Sequence, residues 1–210
     1  MTWIKICGIT NIEDGLEAVS LGVNALGFIF APSPRRVEPS VAKEIISVLP
    51  ETLLKVGVFV NEDPEEVLRV AEYCGLNVLQ FHGQESQEYC QKFFIPVFKA
   101  IRIKNLESLK DIENYHDVTI LLDTYSPVQA GGTGNPFPGE IALKAKEERD
   151  FILSGGLSPS NVGEAIKKVR PMGVDVCSGV EVTPGKKDPL KMRDFIKEVR
   201  KADEQDRSNI

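Results

Sequence analysis

Histidine is scarce in this sequence, with only His82 and His116, and its four cysteines (Cys7, Cys74, Cys90, Cys177) lie far apart with no C-x-x-C pair. Such a set gives neither zinc-ligand spacing nor a structural disulfide framework. No uninterrupted apolar run approaches the roughly 18 residues of a membrane-spanning helix, which excludes a helical membrane protein. Positive charge is also short: 25 Lys and Arg stand against 31 Asp and Glu, a net charge of -6. A field of that sign repels nucleic acid and anionic lipid, so neither is an expected partner, and a phosphate on a ligand needs a local device to hold it. The opening MTWIKICGIT has a lysine inside its apolar stretch and acids soon after, at Glu13 and Asp14. That is not the layout of a signal peptide, and a cytoplasmic location is expected. No low-complexity linker or shift of composition divides the chain, which reads as one domain over residues 1–200 and a frayed tail over 201–210.

What is present is an alternation of short, β-branched apolar runs with longer stretches of helical period, the signature of βα units and a parallel sheet. The runs are WIKICGI (3–9), ALGFIF (25–30), LLKVGVFV (53–60), VLQFHG (78–83), VFKAIRI (97–103), VTILLD (118–123), FILSGG (151–156) and VDVCSG (174–179). Helices are expected to begin near Asn11, Pro39, Asp63, Ser86, Asn105, Gly139, Pro159 and Asp188. Asp63-Pro64, Ser158-Pro159 and Asp188-Pro189 each set a capping side chain before proline. Eight units over 210 residues is about 26 residues per unit, the count that closes a (β/α)8 TIM barrel; an open doubly wound sheet usually needs only five or six strands.

In a barrel the chemistry lies at the C-terminal ends of the strands, which restricts the search. Cys7 ends the first run, His82 the fourth and Asp123 the sixth. A cysteine is ordinarily a small buried hydrophobe, a reading that suits Cys74 and Cys90 on apolar helix faces. Cys7 differs because Gly8 follows it at a strand end, where a thiol can be presented to a site; use as a base requires a lowered thiol pKa. Asp123 either caps the following loop or serves as a general acid. His82 is either a satisfied structural residue or lines the site. The long connection from Tyr125 to Gly139, with Gly131-Gly132-Thr133-Gly134, is a candidate lid.

Two glycine-bearing loops, Ser154-Gly155-Gly156-Leu157-Ser158 and Cys177-Ser178-Gly179-Val180, follow the seventh and eighth runs, where this fold tends to bind phosphate. Gly179 to Lys186 looks like a nucleotide P-loop, but Lys187 stands where Ser or Thr is needed, so nucleotide binding is rejected. Arg35 and Arg36, after the second run, are either solvated surface charges or partners for a substrate carboxylate.

Taken together, KICGIT, GFIFAPSPR, VGVFVN, QFHG, LLDT with GGTG, LSGGLSPSNV, and VDVCSGVE with PGKKD resemble the phosphoribosylanthranilate isomerases of tryptophan biosynthesis, from Lys5 to about Lys197. The resemblance implies a (β/α)8 barrel that uses neither metal nor organic cofactor and carries out an Amadori rearrangement of N-(5-phosphoribosyl)anthranilate. The partner it implies is that phosphorylated sugar-anthranilate substrate. It places the general base on Cys7, the general acid on Asp123, the anthranilate contact on Arg35, and phosphate binding on Gly155, Gly156, Ser178 and Gly179, with His82 lining the site. The chain departs from the family's pattern at Asn135-Pro136-Phe137-Pro138-Gly139 after GGTG, at Cys177 where serine is frequent, and at Phe81 where leucine is frequent. The related sugar-phosphate isomerase of histidine biosynthesis has aspartate at the Cys7 position. A catalytically silent phosphate-binding barrel would need neither Cys7 nor Asp123.

Overall fold

The computed structural model describes residues 1–124 and 139–207. Eight parallel strands close into a barrel in sequential order. They are β1 (Trp3–Cys7), β2 (Ala25–Ile29), β3 (Leu54–Phe59), β4 (Val78–Phe81), β5 (Val97–Ile103), β6 (Thr119–Thr124), β7 (Phe151–Ser154) and β8 (Gly173–Val176). The chain's outer helices are α1 (Ile12–Ser20), α2 (Pro39–Ser47), α3 (Pro64–Cys74), α4 (Gln87–Cys90), α5 (Lys110–Glu113), α6 (Gly139–Glu148), α7 (Val162–Val169) and α8 (Pro189–Arg207). A short antiparallel pair, β9 (Glu181–Thr183) and β10 (Lys186–Lys187), follows β8. Closure is made by β1 against β8, with Lys5 opposite Asp175 and Ile6 opposite Val176.

Side chains alternate across each strand, so every run divides between two cores. Ile4 and Ile6 face outward into the large core shared with the helices, as do Leu26, Phe28, Leu79, Phe81, Leu122 and Val174. The intervening positions face the barrel axis. At its base they are apolar: Ala25, Val56, Val78, Phe98, Ala100, Leu121 and Ile152 cluster there, with Trp3 set edge-on to Phe98. One step further along the same strands the inward positions become Lys5, Gln80, Asp123 and Asp175, all but Asp123 buried. The axis therefore runs from a dry plug to a polar mouth.

Side-chain caps mark where four of the helices start. Asn11 accepts from Asp14 N, Asp63 from Glu65 N, Ser86 from Tyr89 N, and Asp188 from Leu190 N. Two of the expected helices need correction. The helix expected from Ser86 is a single turn, and the one expected near Pro159 starts at Val162. In the second case Asn161 Oδ1 takes the Ser158 N–H (2.8 Å) while its Nδ2 donates to the Gly156 carbonyl (2.9 Å). That brace closes a turn over the residues that would have formed the first helical turn. At the other end, α8 continues to Arg207, held by buried Ala202 and by Asp203, which accepts from Thr2 N and Oγ1. Residues 201–207 are thus helical, whereas a frayed tail is expected from residue 201. The candidate lid over 125–138 and the last three residues lie outside the described residues. Among the described residues no helix is long and apolar enough to cross a membrane.

Candidate active site

At the C-terminal mouth the inward positions of seven strands or their loops converge on a cavity of about 250 Å³. Cys7, Asp123 and His82 border it, together with Gly155, Gly156 and Ser178. Gln80, Asp175 and Cys177 complete its polar lining, and Ile29, Val58 and Leu157 its apolar part. A cleft of similar size at the opposite end, between Met1, Arg170 and Asp203, gathers no comparable acid and base set.

Cys7 is 5% exposed and sits in a cationic nest. Its pKa is lowered chiefly by a hydrogen bond with Cys177, against the cost of burial, and further by the Lys5 ammonium beneath it. Cys177 moves the other way, raised first by that shared hydrogen bond and then by burial. One thiol of the pair thus carries the charge and the other the proton, and the ammonium beside Cys7 decides which. Lys5 Nζ lies 2.8 Å from Asp175 Oδ1, both buried. Although burial opposes it, Asp175 and Cys7 hold Lys5 above its ordinary value, so the cation persists under the thiol. Local backbone makes room for the group. Gly8 has φ +76°, and a Cβ there would come within 3.1 Å of both Cys177 Sγ and Arg35 Cδ. On the next strand a Cβ at Gly27 would lie 2.7 Å from Cys7 Sγ.

Asp123 stands on the far side of the mouth. His82 Nε2 is 3.0 Å from its Oδ2, and Gln80 Nε2 is 3.3 Å from His82 Nδ1. An amide nitrogen only donates, so Nδ1 accepts and the imidazole proton lies on Nε2, directed at Asp123. Oδ2 is thereby occupied as an acceptor, and Oδ1 is the oxygen left to exchange a proton.

The glycine loops meet each other here. Gly155 and Gly156 adopt φ +87° and +65°, the left-handed region that favours glycine. Gly179 is required for a different reason: a Cβ there would lie only 1.9 Å from the Leu157 carbonyl oxygen. It joins the two loops and does not itself border the cavity, whereas Ser178 does.

Arg35 stands at the rim, outside the cavity lining, in a fork with Glu181: Nε to the two carboxylate oxygens at 2.9 and 3.0 Å, Nη2 to Oε2 at 2.7 Å. Lys187 Nζ, buried, reaches Glu181 Oε1 at 2.9 Å. Burial pushes Glu181 up, but Arg35 and Lys187 together hold it below the usual carboxylate range. Nη1 of Arg35 has no part in this fork, so a preoriented edge of the guanidinium remains for another acceptor. Arg36 is exposed and pairs at 3.5 Å with exposed Glu38.

Residues 4–198 match the family model described as N-(5'phosphoribosyl)anthranilate (PRA) isomerase. The chain belongs to the PRA isomerase family. It is 51% identical over 204 residues to the N-(5'-phosphoribosyl)anthranilate isomerase of Desulforudis audaxviator, covering 96% of this chain and all of that one. The crystal structure of phosphoribosyl anthranilate isomerase from Thermotoga maritima superposes with a TM-score of 0.90 at 46% identity, covering 96% of this chain and 100% of that one. A PRA isomerase crystal structure in complex with reduced 1-(o-carboxyphenylamino)-1-deoxyribulose 5-phosphate has a TM-score of 0.87 at 43% identity, with coverage of 96% and 100%.

Of the residues singled out from sequence, Cys7, His82, Asp123, Gly155, Gly156 and Ser178 share one cavity; Arg35 and Gly179 flank it. The sequence reading missed Lys5, Gln80 and Asp175, although a charge or amide inside an apolar strand was a visible signal. It also missed Cys177 as a neighbour of Cys7, and Glu181 and Lys187, whose pairing with Arg35 crosses the barrel rim.

Proposed function

We propose that the chain converts N-(5-phosphoribosyl)anthranilate into 1-(2-carboxyphenylamino)-1-deoxyribulose 5-phosphate by general acid and base catalysis, as a step of tryptophan biosynthesis. The observation that carries this reading is the placement of a lowered-pKa thiol and a histidine-held carboxyl on one cavity, in a chain of this family. Asp123 protonates the furanose ring oxygen as the bond from that oxygen to C1 breaks, leaving a Schiff base between C1 and the anthranilate nitrogen. The resulting carboxylate is stabilised by the Nε2–H of His82. Cys7, as thiolate, then removes the proton on C2; the electron pair moves to C1 and the nitrogen, giving an enolamine. Tautomerisation moves the proton of the C2 hydroxyl to C1 and forms the ketone, so no atom is gained or lost. The ammonium of Lys5 favours the thiolate before the step, and after product formation the proton taken by Cys7 is released and Asp123 regains one from solvent, which restores both groups.

The phosphate sits against Gly155, Gly156 and Ser178, where two consecutive glycines bring backbone to the cavity without side chains, and Gly179 lets the two loops meet. The anthranilate carboxylate takes the free edge of Arg35, which Glu181 has already oriented. All four cysteines are unpaired, which suits the reducing cytoplasm. Turnover of phosphoribosylanthranilate, followed by loss of anthranilate fluorescence, tests the reading. Cys7→Ser is expected to lose about 10²-fold or more in turnover, since a hydroxyl is too weak a base at neutral pH, while a product analogue binds nearly as before. Wild-type turnover in that variant would overturn the assignment.

A further inference from the structure

Cys7 and Cys177 meet at the seam where the barrel closes. Ile6 is in register with Val176, so the two cysteines, one residue further along each strand, lie side by side. Neighbouring strands stand about 4.8 Å apart, inside the roughly 4.4–6.8 Å between Cα atoms that a disulfide spans. Both side chains lie on the inner side of this seam and border the same cavity, and Cys177 is the neighbour that most lowers the Cys7 thiol. Gly8 puts no side chain against Cys177 Sγ, and Lys187 Nζ approaches that sulfur to 3.9 Å.

We propose that Cys7 and Cys177 form a peroxide-sensitive dithiol, which closes to a disulfide across the β1–β8 seam and removes the base. The Cys7 thiolate attacks one oxygen of hydrogen peroxide; the O–O bond breaks, Cys7 becomes a sulfenic acid, and the released hydroxide takes a proton to become water. Cys177 then attacks the Cys7 sulfur, its thiol proton leaves with the hydroxyl as a second water, and the S–S bond forms. Two thiols are oxidised by two electrons and one peroxide is reduced to two waters. Loss of activity on closure rests on Cys7 being the base; the disulfide itself does not.

The remaining cysteines are internal controls. Cys74 Sγ is turned to the Pro39 carbonyl at 3.3 Å, and burial pushes the Cys90 thiol up to about 11. Peroxide treatment of the intact chain, blocking of free thiols and mapping of a non-reduced digest tests the proposal. The expected result is loss of two of the four free thiols, a peptide pair joined through Cys7 and Cys177, and lost turnover that dithiothreitol restores. Cys177→Ser is expected to give no joined pair and a loss that dithiothreitol does not reverse, because an unresolved sulfenic acid proceeds to the sulfinic acid. Oxidation of Cys7 in the wild-type chain without the joined pair overturns the proposal, as does survival of all four thiols. A joined pair with turnover retained instead overturns the reading of Cys7 as base and leaves the disulfide standing.

Discussion

Replacing Cys177 by alanine should move the acid limb of the pH–rate profile upward. Its hydrogen bond is the largest influence lowering the Cys7 thiol, which lies at about 6, well below the ordinary thiol range. A base is active when deprotonated, so kcat/KM rises with pH through that value and is lost as pH falls through it. With the thiol at about 6, some 90% is thiolate at pH ~7; at the ~8.5 of an unperturbed thiol, about 3% is. A return to the unperturbed value therefore costs about thirtyfold at neutral pH, closing again by pH ~9.5. Burial, which raises the thiol, and Lys5, which lowers it, both remain in the variant, so the limb moves up toward the value of an unperturbed thiol. Cys177→Ser retains a hydroxyl donor and should keep its limb near that of the wild type. The assay is kcat/KM by anthranilate fluorescence from pH ~5 to ~9.5, with the rate of Cys7 alkylation against pH as a readout independent of turnover. An alanine variant whose acid limb and alkylation profile stay at the wild-type position would refute the thiol–thiolate pairing.

Asp123→Asn keeps the shape of the side chain but removes the transferable proton, and should cut kcat by about 10²–10⁴-fold with product-analogue affinity nearly unchanged by calorimetry. The two phosphate-loop glycines should separate in their effects. Gly156 faces open space at φ +65°, so Gly156→Val should raise KM more than it lowers kcat, with a backbone strain cost of about 1–2 kcal/mol. Gly179→Val would drive a side chain into the Leu157 carbonyl and should instead lower the melting temperature by roughly 5–10 °C, from about 2–3 kcal/mol of overpacking. Arg35→Lys cannot reproduce the fork on Glu181 and should raise KM about tenfold, measured beside a dephosphorylated analogue to separate the two ends of the substrate.

The strands were legible because short apolar runs alternate with longer stretches of helical period: VFKAIRI, between Pro96 and Lys104-Asn105, coincides with β5. The site residues at strand mouths were legible for the related reason that a barrel of this kind gathers its chemistry at the C-terminal ends of its strands, where Cys7, His82 and Asp123 stand. What local reading lacked was partnership across the barrel. Lys5 shows in sequence as a charge within an apolar run, but its pairing with Asp175 follows only from the closure register. Glu181 lies in a short hairpin with little apolar content, and nothing near it in sequence points to Arg35. The late start of α7 has the same origin, since Ser158-Pro159 is a good local cap that loses to Asn161 folding back on the loop before it.

The glycine beside Cys7 has a consequence for how such a barrel can change over time. Sγ fills the volume that a Cβ at Gly27 would need, so the two positions share one space and cannot be varied independently. Gly27→Ala in the wild-type chain should displace the sulfur from its place over Lys5, whereas after Cys7→Ala the same change meets only the 3.1 Å approaches to Cys7 Cα and Lys5 Cε and should cost less. The permitted order of substitutions is thus fixed: the thiol must be given up before β2 can gain a side chain there. Any lineage that retains the thiol is held to glycine on the neighbouring strand, a constraint that would be written into descendant sequences as a coupled pair 20 residues apart.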